Sequence, residues 1–482
     1  MGSLFAYAVY IVVGWLVATF VLQDAVLGHR IQIEVLGPIP MLVNDIPFMG
    51  SILFCLAGLT LSFFVGLALK SSNIDSVALG AFAFSYNADV VPFLFQLSLL
   101  AIFLILISRR LGHKTTPIRM TPLVVLIGLI LLSYMTSFLL NPKPLSVFAN
   151  LFYRSSYFVA MLLLPAIIVS RRHLDTLFNF MIVSAMLTVG VEVVQFIMSS
   201  MTEQVVTFYT DNYDRVVTPY GVFPRLTGLM YHPNHQSNLL ATQAVMALWF
   251  ATQPKSLISS GRRTFLFIAY IVLAFGVVIT WSRSGWLSIA LATAMIPLLR
   301  YRKFVPIYIL LSASFIAAVY SSGIGAMAYQ FVHDLNGDSA DFRWHVDDIA
   351  MDAFLTHPRF GLGVGMFIDY YNPYQLEVHD TYLQVASGMG IAGIVTIGGF
   401  VLAIIVRLLH TCFRPSHPAY REWAIALLLG MIITTVQAMF AMFLWVKFIW
   451  CVFGISEAVV LNNRDRTEEQ QSNEFIFLPP PR

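Results

Sequence analysis

The chain has 482 residues, of which 58% are hydrophobic and 11% charged, against roughly 25% charged in soluble domains. So few polar groups cannot cover a soluble surface, which excludes a soluble fold and leaves an all-α polytopic membrane protein. The net charge of +3 argues for no nucleic-acid partner, and Cys55, Cys412 and Cys451 have neither CxxC nor metal-ligand spacing.

A helix needs about 20 residues to cross the hydrocarbon core. In chain order the predicted spans are Leu4–Leu22, Phe48–Leu69, Val90–Ile107, Pro122–Leu140, Val147–Val169 and Leu177–Met198. Leu4–Leu22 lacks a basic leader and reads as an anchor, not a cleaved signal. Ser76–Tyr86 reads as a half-span or a re-entrant piece. After a polar gap come Ser237–Thr252, Phe265–Thr280, Trp286–Leu299 and Phe304–Val319. A second gap precedes Val385–Leu409, and Trp423–Leu461 has the length of two spans. The expectation is 12–14 transmembrane helices. The chain divides into N-terminal helices (1–200), a loop (201–236), helices (237–319), a large loop (320–384), C-terminal helices (385–461) and a polar, disordered tail (462–482).

Lys and Arg in alternate loops set the orientation. From Arg109 onward, eighteen fall in one set of loops and six in the other: Lys143, Arg215, Arg225, Arg283, Arg343 and Arg359. The richer set is assigned to the cytoplasm, which puts both polar gaps outside and the tail inside. Cys412 and Cys451 then lie near the cytoplasmic side, where a structural disulfide is not expected.

Three outer arginines stand at the mouths of spans. Arg225 lies in "FPRLTGLMYHPNHQSNLLA", Arg283 in "TWSRSGWLSIALA" and Arg343 in "DFRWHVDDIAMDAFLTHPRFGLGVGMF". Phe342, Val346, Ile349 and Ala353 recur at helical spacing, so residues 341–356 read as an amphipathic helix on the outer surface. Guanidinium groups grip phosphate oxygens in a fork and stay charged. A lipid-linked diphosphate fits such a rim, because its headgroup is anionic and its tail needs an apolar groove. Asp-x-Asp, the usual metal-clamping signature, occurs nowhere. His379, at the mouth of the span beginning near Val385, is positioned to take a proton from an acceptor hydroxyl. The plainer alternatives are solvated arginines and a helix-capping His379. In "HPNH" the two histidines are too few for a metal, and Asn234 reads as a helix cap. "GLGVG" at 361–365 reads as a bend, since no strand precedes it.

These motifs resemble the O-antigen ligase and polymerase superfamily of bacterial envelope enzymes. "RLTGLMYHPNHQSNLLA" is similar to the family's segment before a span, and "TWSRSGWLSIALA" to its Ser-Arg-Gly turn. His379, Asp380, Gly390 and Gly393 fill its closing signature, with Asp380 where Asn, Ser or Gln is commoner. The resemblance implies a multi-pass protein of the bacterial inner membrane with the C-type glycosyltransferase fold. It implies an inverting transfer, without metal or cofactor, from undecaprenyl-diphosphate-linked oligosaccharide at the periplasmic leaflet. Arg225, Arg283 and His379 would be catalytic, with Arg343, Asn234, His235 and Asp380 contacting substrate. Its partners would be the lipid-linked donor, a glycan acceptor, membrane lipids, and a flippase and chain-length regulator of the same pathway.

The motifs leave polymerase and ligase open, although the length of the chain and of its N-terminal region favours a polymerase. A lipid-linked-glycan transporter would carry charges midway through several spans. Arg154, Glu192 and Lys447 are the few of that kind.

Overall fold

The protein is described here by a computed structural model covering residues 74–88, 94–111, 123–140, 157–202, 215–218, 221–230, 232–254, 257–301, 303, 305–321, 337–363, 366–367, 378–443 and 446–476. Leu4–Leu22, Phe48–Leu69 and Arg154 lie outside the described residues. Within them the regular secondary structure is helical apart from one hairpin. The N-terminal part comprises α1 (Ile74–Tyr86), α2 (Leu94–Leu111), α3 (Leu123–Leu140), α4 (Tyr157–Ile167) and α5 (Arg171–Thr202). The antiparallel pair β1 (Arg215–Thr218) and β2 (Gly221–Pro224) follows, with Val216 opposite Phe223. Then come α6 (Pro233–Ala251), α7 (Ser260–Ile279), α8 (Arg283–Arg300), α9 (Val305–Ser321) and α10 (Gly337–Thr356). The chain closes with α11 (Thr381–Phe413), α12 (Pro418–Ala438) and α13 (Lys447–Ile476).

Apolar runs become helices because a bilayer offers no water to backbone N–H and C=O groups. By length and composition α5, α7, α11 and α12 can each cross a membrane. Ser76–Tyr86 is resolved as a buried helix, α1. Trp423–Leu461, read as two spans, falls on α12 and α13, of which α12 is long and apolar enough to cross a membrane. Three expectations need correction. The polar segment after Leu461 was expected to be disordered, but α13 continues through it to Ile476. The gap before α6 carries a β-hairpin. The span read as Val385–Leu409 belongs to a helix that breaks at Gly390, where φ is 63° and ψ is −157°.

The centre of the bundle is α6, packed by α5, α7, α8 and α12. It is buried along nearly its whole length, polar residues included. Gln243 donates to Asn87 at 2.7 Å, and Asn87 donates to the Met181 carbonyl at 2.9 Å. These bonds fasten α6 to α1 and α5, since a polar group in an apolar bundle has to find a partner there.

Ion pairs gather at the opposite helix ends from Arg225, Arg283 and His379. Arg262 pairs with Asp175 at 3.2 Å, Arg300 with Glu422 at 2.6 Å, and Arg407 with Glu457 at 2.6 Å. Arg109 pairs with Asp75. All four arginines belong to the set of eighteen, so the charge alternation along the chain corresponds to two distinct ends of the bundle.

Candidate functional site

The first helical turn of α6 organises the site. Asn234 was read as a helix cap, but it lies inside the helix. The cap is His232, whose Nδ1 accepts from the Asn234 backbone N–H at 3.1 Å. Pro233 occupies the first helical position, where no N–H is needed. Asn234 is thereby left to work with its side chain. Its Oδ1 accepts from the Arg225 guanidinium at 3.1 Å and from the Ser282 hydroxyl at 3.0 Å. Ser282 caps α8, whose first residue is Arg283. One amide oxygen therefore ties both arginine-bearing segments to α6.

Below it the helices touch closely. A Cβ on Gly285 would lie 2.7 Å from the Ser237 hydroxyl, so glycine sets the α6–α8 approach. Ser237 donates to Gln437 of α12 at 3.1 Å, and Gln437 donates to Ser288 of α8 at 2.8 Å. The buried Gln437 amide thus links three helices. On the other side, Gln195 of α5 holds the Gly228 backbone, donating to its carbonyl at 3.2 Å and accepting from its N–H at 3.1 Å. This clamps the loop between Arg225 and His232.

The third segment is the start of α11. Val378 is buried against Val346, Ala350, Ala353 and Phe367, which seats α10 beside His379. His379 itself is half-buried. Capping of α11 falls to Asp380, whose carboxylate accepts from the Tyr382 and Leu383 N–H groups at 2.7 and 2.9 Å. The plainer alternative of a helix-capping His379 therefore does not hold, because Asp380 occupies the cap position. The α12–α13 connection bridges α6 and α11. Met442 O lies 3.1 Å from His235 Nε2, and Thr381 donates to Ala441 O at 2.6 Å.

The electrostatics show that these segments meet. Burial pushes the His232 imidazole well below its usual value, and the positive charges of His235, Arg225, His379 and Arg343 push the same way. Asp347, one helical turn after Arg343 on α10, is pushed up to about 6 by burial and then by Asp380, with Arg343 opposing. Burial also raises Asp380. Arg225, His235, Arg343 and His379 thus share one neighbourhood, with Arg283 joined through Ser282 and Asn234. Arg359 is exposed on the loop after α10.

Three helix N-termini, those of α6, α8 and α11, are brought together with arginines beside them. Such ends carry partial positive charge and free N–H groups, which suits an anion. The spacing between His379 and Gly390 is then a matter of local backbone. Gly390 breaks α11 nearly three turns after the cap, and the freed groups are taken up by the "HPRFGLG" loop. Pro358 O accepts from Ile391 N at 2.8 Å and Arg359 O from Ala392 N at 3.2 Å. Leu362 N donates to Ser387 O at 2.8 Å and Gly363 N to Gly388 O at 3.1 Å. The described part of the bend expected at 361–365, Gly361 to Gly363, is thus half of a joint.

The family model for O-antigen ligases matches residues 268–398, from within α7 to the middle of α11. This segment is thereby similar to the O-antigen ligase and polymerase superfamily. The matched O-antigen ligase segment contains Arg283, Arg343, His379 and the Gly390 break, whereas Arg225, Asn234 and His235 precede it. No curated protein matches the chain. The likeness of this segment to O-antigen ligases supports glycan transfer of the ligase or polymerase type, carried out by a membrane protein.

Sequence reading passed over His232, Gln195, Gln437, Trp281 and Asp347. For His232 a signal was present: a residue with a side-chain acceptor directly before Pro at the start of an apolar run. Gln195 and Gln437 gave none beyond an amide inside a span.

Proposed function

We propose that this protein is an inverting, metal-independent glycosyltransferase that uses undecaprenyl-diphosphate-linked oligosaccharide at the periplasmic leaflet and polymerises repeat units of a surface polysaccharide. The carrying observation is the shared acceptor, Asn234 Oδ1, which joins Arg225 to the segment of Arg283 at converging helix N-termini. In this reading the two guanidinium groups hold the donor diphosphate and stabilise the charge that develops as the anomeric C–O bond breaks. The acceptor hydroxyl attacks from the opposite face, and His379 takes its proton. The diphosphate is already a good leaving group, so no second acid is needed. Arg343, at the edge of the same neighbourhood, adds positive charge.

Transfer of a finished glycan to a lipid A core is the alternative within the family. The test is reconstitution of the purified chain in vesicles with lipid-linked repeat unit as the sole glycan and a chelator present. Growth of polymer on the lipid carrier is the expected result. Polymer appearing only when a lipid A core acceptor is added identifies a ligase, and a requirement for added metal overturns the metal-independent mechanism.

A further inference from the structure

Between α7 and α8 the backbone takes an unfavourable course. Trp281 has a φ of 53°, the one positive value at a non-glycine residue among the described residues. A bulky L-residue in that region crowds its own backbone, and glycine would make the turn without strain. The strained turn presents a ring. Trp281 stacks on Phe223 with centroids 5.2 Å apart and planes 28° apart, and Trp286 lies tilted beside it at 5.8 Å. Phe223, Trp281 and Trp286 are all partly exposed.

The position of the pair follows from the chain. Phe223 is two residues before Arg225, and Trp281 is two residues before Arg283. The two segments that supply the guanidinium groups therefore also supply the two stacked rings. We propose that Phe223 and Trp281 form an aromatic wall of a glycan subsite, against which the apolar face of a pyranose of the lipid-linked donor packs. The proposal rests on the reading of Arg225 and Arg283 as the diphosphate site and names what lies on its sugar side. The C–H groups of a pyranose face carry partial positive charge, and an aromatic face is negative. Hydroxyls at the sugar's rim stay free for water or polar side chains.

Two other occupants fit less well. A polyprenyl tail needs an apolar groove along the helices, whereas these rings lie at a turn and a hairpin beyond the helix ends. A tryptophan that merely anchors the protein at the membrane interface needs only the right depth. It needs neither a left-handed backbone nor a partner ring from a separate segment.

The experiment uses the purified full-length chain in detergent. KM is measured for lipid-linked oligosaccharide extracted from the producing organism, and Ki for undecaprenyl diphosphate carrying no sugar. Trp281→Gly removes the ring and relieves the strain, Phe223→Leu breaks the wall from the other side, and Trp281→Phe keeps an aromatic ring. The first two variants should raise KM about tenfold or more while changing Ki less than about twofold, and Trp281→Phe should stay within about threefold of wild type. If Trp281→Gly does not fold, Phe223→Leu reads the same quantity. Equal weakening toward both ligands would assign the rings to the tail or to the arginines, and unchanged KM would leave an interfacial anchor; either overturns the proposal. Arg283→Ala serves as the separate control: if it binds undecaprenyl diphosphate normally, the diphosphate reading fails whatever the rings do.

Discussion

Gly361 fills the missing side-chain space of Gly390: a Cβ on Gly390 would lie 2.6 Å from the Gly361 nitrogen. A Cβ on Gly361 would lie 2.4 Å from the Gly388 carbonyl carbon. Both residues have positive φ, 69° and 63°. The contact is backbone against backbone and cannot give way by a rotamer change. It fixes the loop after α10 against the first part of α11. The glycine of the closing signature has a physical reason here, because no other residue combines this φ/ψ with this approach.

Gly390→Ala and Gly361→Ala should each lose at least about 2 kcal/mol of stability, with transfer activity falling in parallel. Gly398 is the internal control. It sits in the regular part of α11 with open space around its Cβ position, so Gly398→Ala should be neutral or gain up to about 1 kcal/mol. Thermal unfolding in detergent and turnover on lipid-linked donor separate the two classes. Normal behaviour of Gly390→Ala would refute the joint.

His379→Ala should lower turnover about a hundredfold or more and leave thermal stability within about 0.5 kcal/mol. The reason is that Asp380, not His379, carries the cap. Asp380→Asn keeps a good cap and should retain most activity, whereas Asp380→Ala should lose about 1 kcal/mol. Unfolding of His379→Ala that accounts for its lost turnover would return the residue to a structural role.

Arg225→Ala and Arg283→Ala should each cut turnover about 100- to 1,000-fold, and the Lys variants should recover only part because Lys lacks the fork. Asn234→Asp offers a sharper check. It preserves the acceptor for Arg225 and Ser282 but adds a negative charge that competes with the donor diphosphate. The protein should fold normally with a raised KM for the donor. A lowered KM would show that Arg225 does not face the diphosphate.

Asp347 gives a pH prediction. In the unfolded chain it ionises near 4, and in the fold at about 6. The fold therefore penalises the charged form. The penalty is absent below pH about 4, develops as pH rises, and is complete above about 6. Asp347→Asn should raise the unfolding temperature at pH 7.5 and have no such effect at pH 4. In Asp380→Asn, which removes the neighbouring carboxylate, the midpoint attributed to Asp347 should move down. An equal effect of Asp347→Asn at both pH values would argue that its burial is not what raises it.

Much of the fold is legible along the chain because hydropathy is local. A run such as Phe265–Thr280 has to be helical in a bilayer whatever its neighbours are, and the structure has α7 there. The amphipathic spacing of Val346, Ile349 and Ala353 likewise corresponds to α10, whose buried side holds Val346, Ala350 and Ala353. Where a cap or break depends on one backbone angle, sequence pattern misleads. Asn234 and His232 are both plausible caps, and a glycine in an apolar run is ordinary until something packs where its side chain would be.

The sequence by itself determined the apolar helices, the charge alternation along the chain and the motif residues Arg225, Arg283, Asn234, His379 and Gly390. Only the tertiary structure decided that Asn234 of α6 joins Arg225 to Ser282, that Gln437 of α12 ties α6 to α8, that Trp281 stacks on Phe223, and that the loop after α10 closes the break in α11. Each of these contacts spans an interval for which the chain carries no period or spacing rule. They exist because a buried amide or hydroxyl, or a freed backbone group, must find a partner within about 3 Å, and which partner is in reach is settled by helix packing.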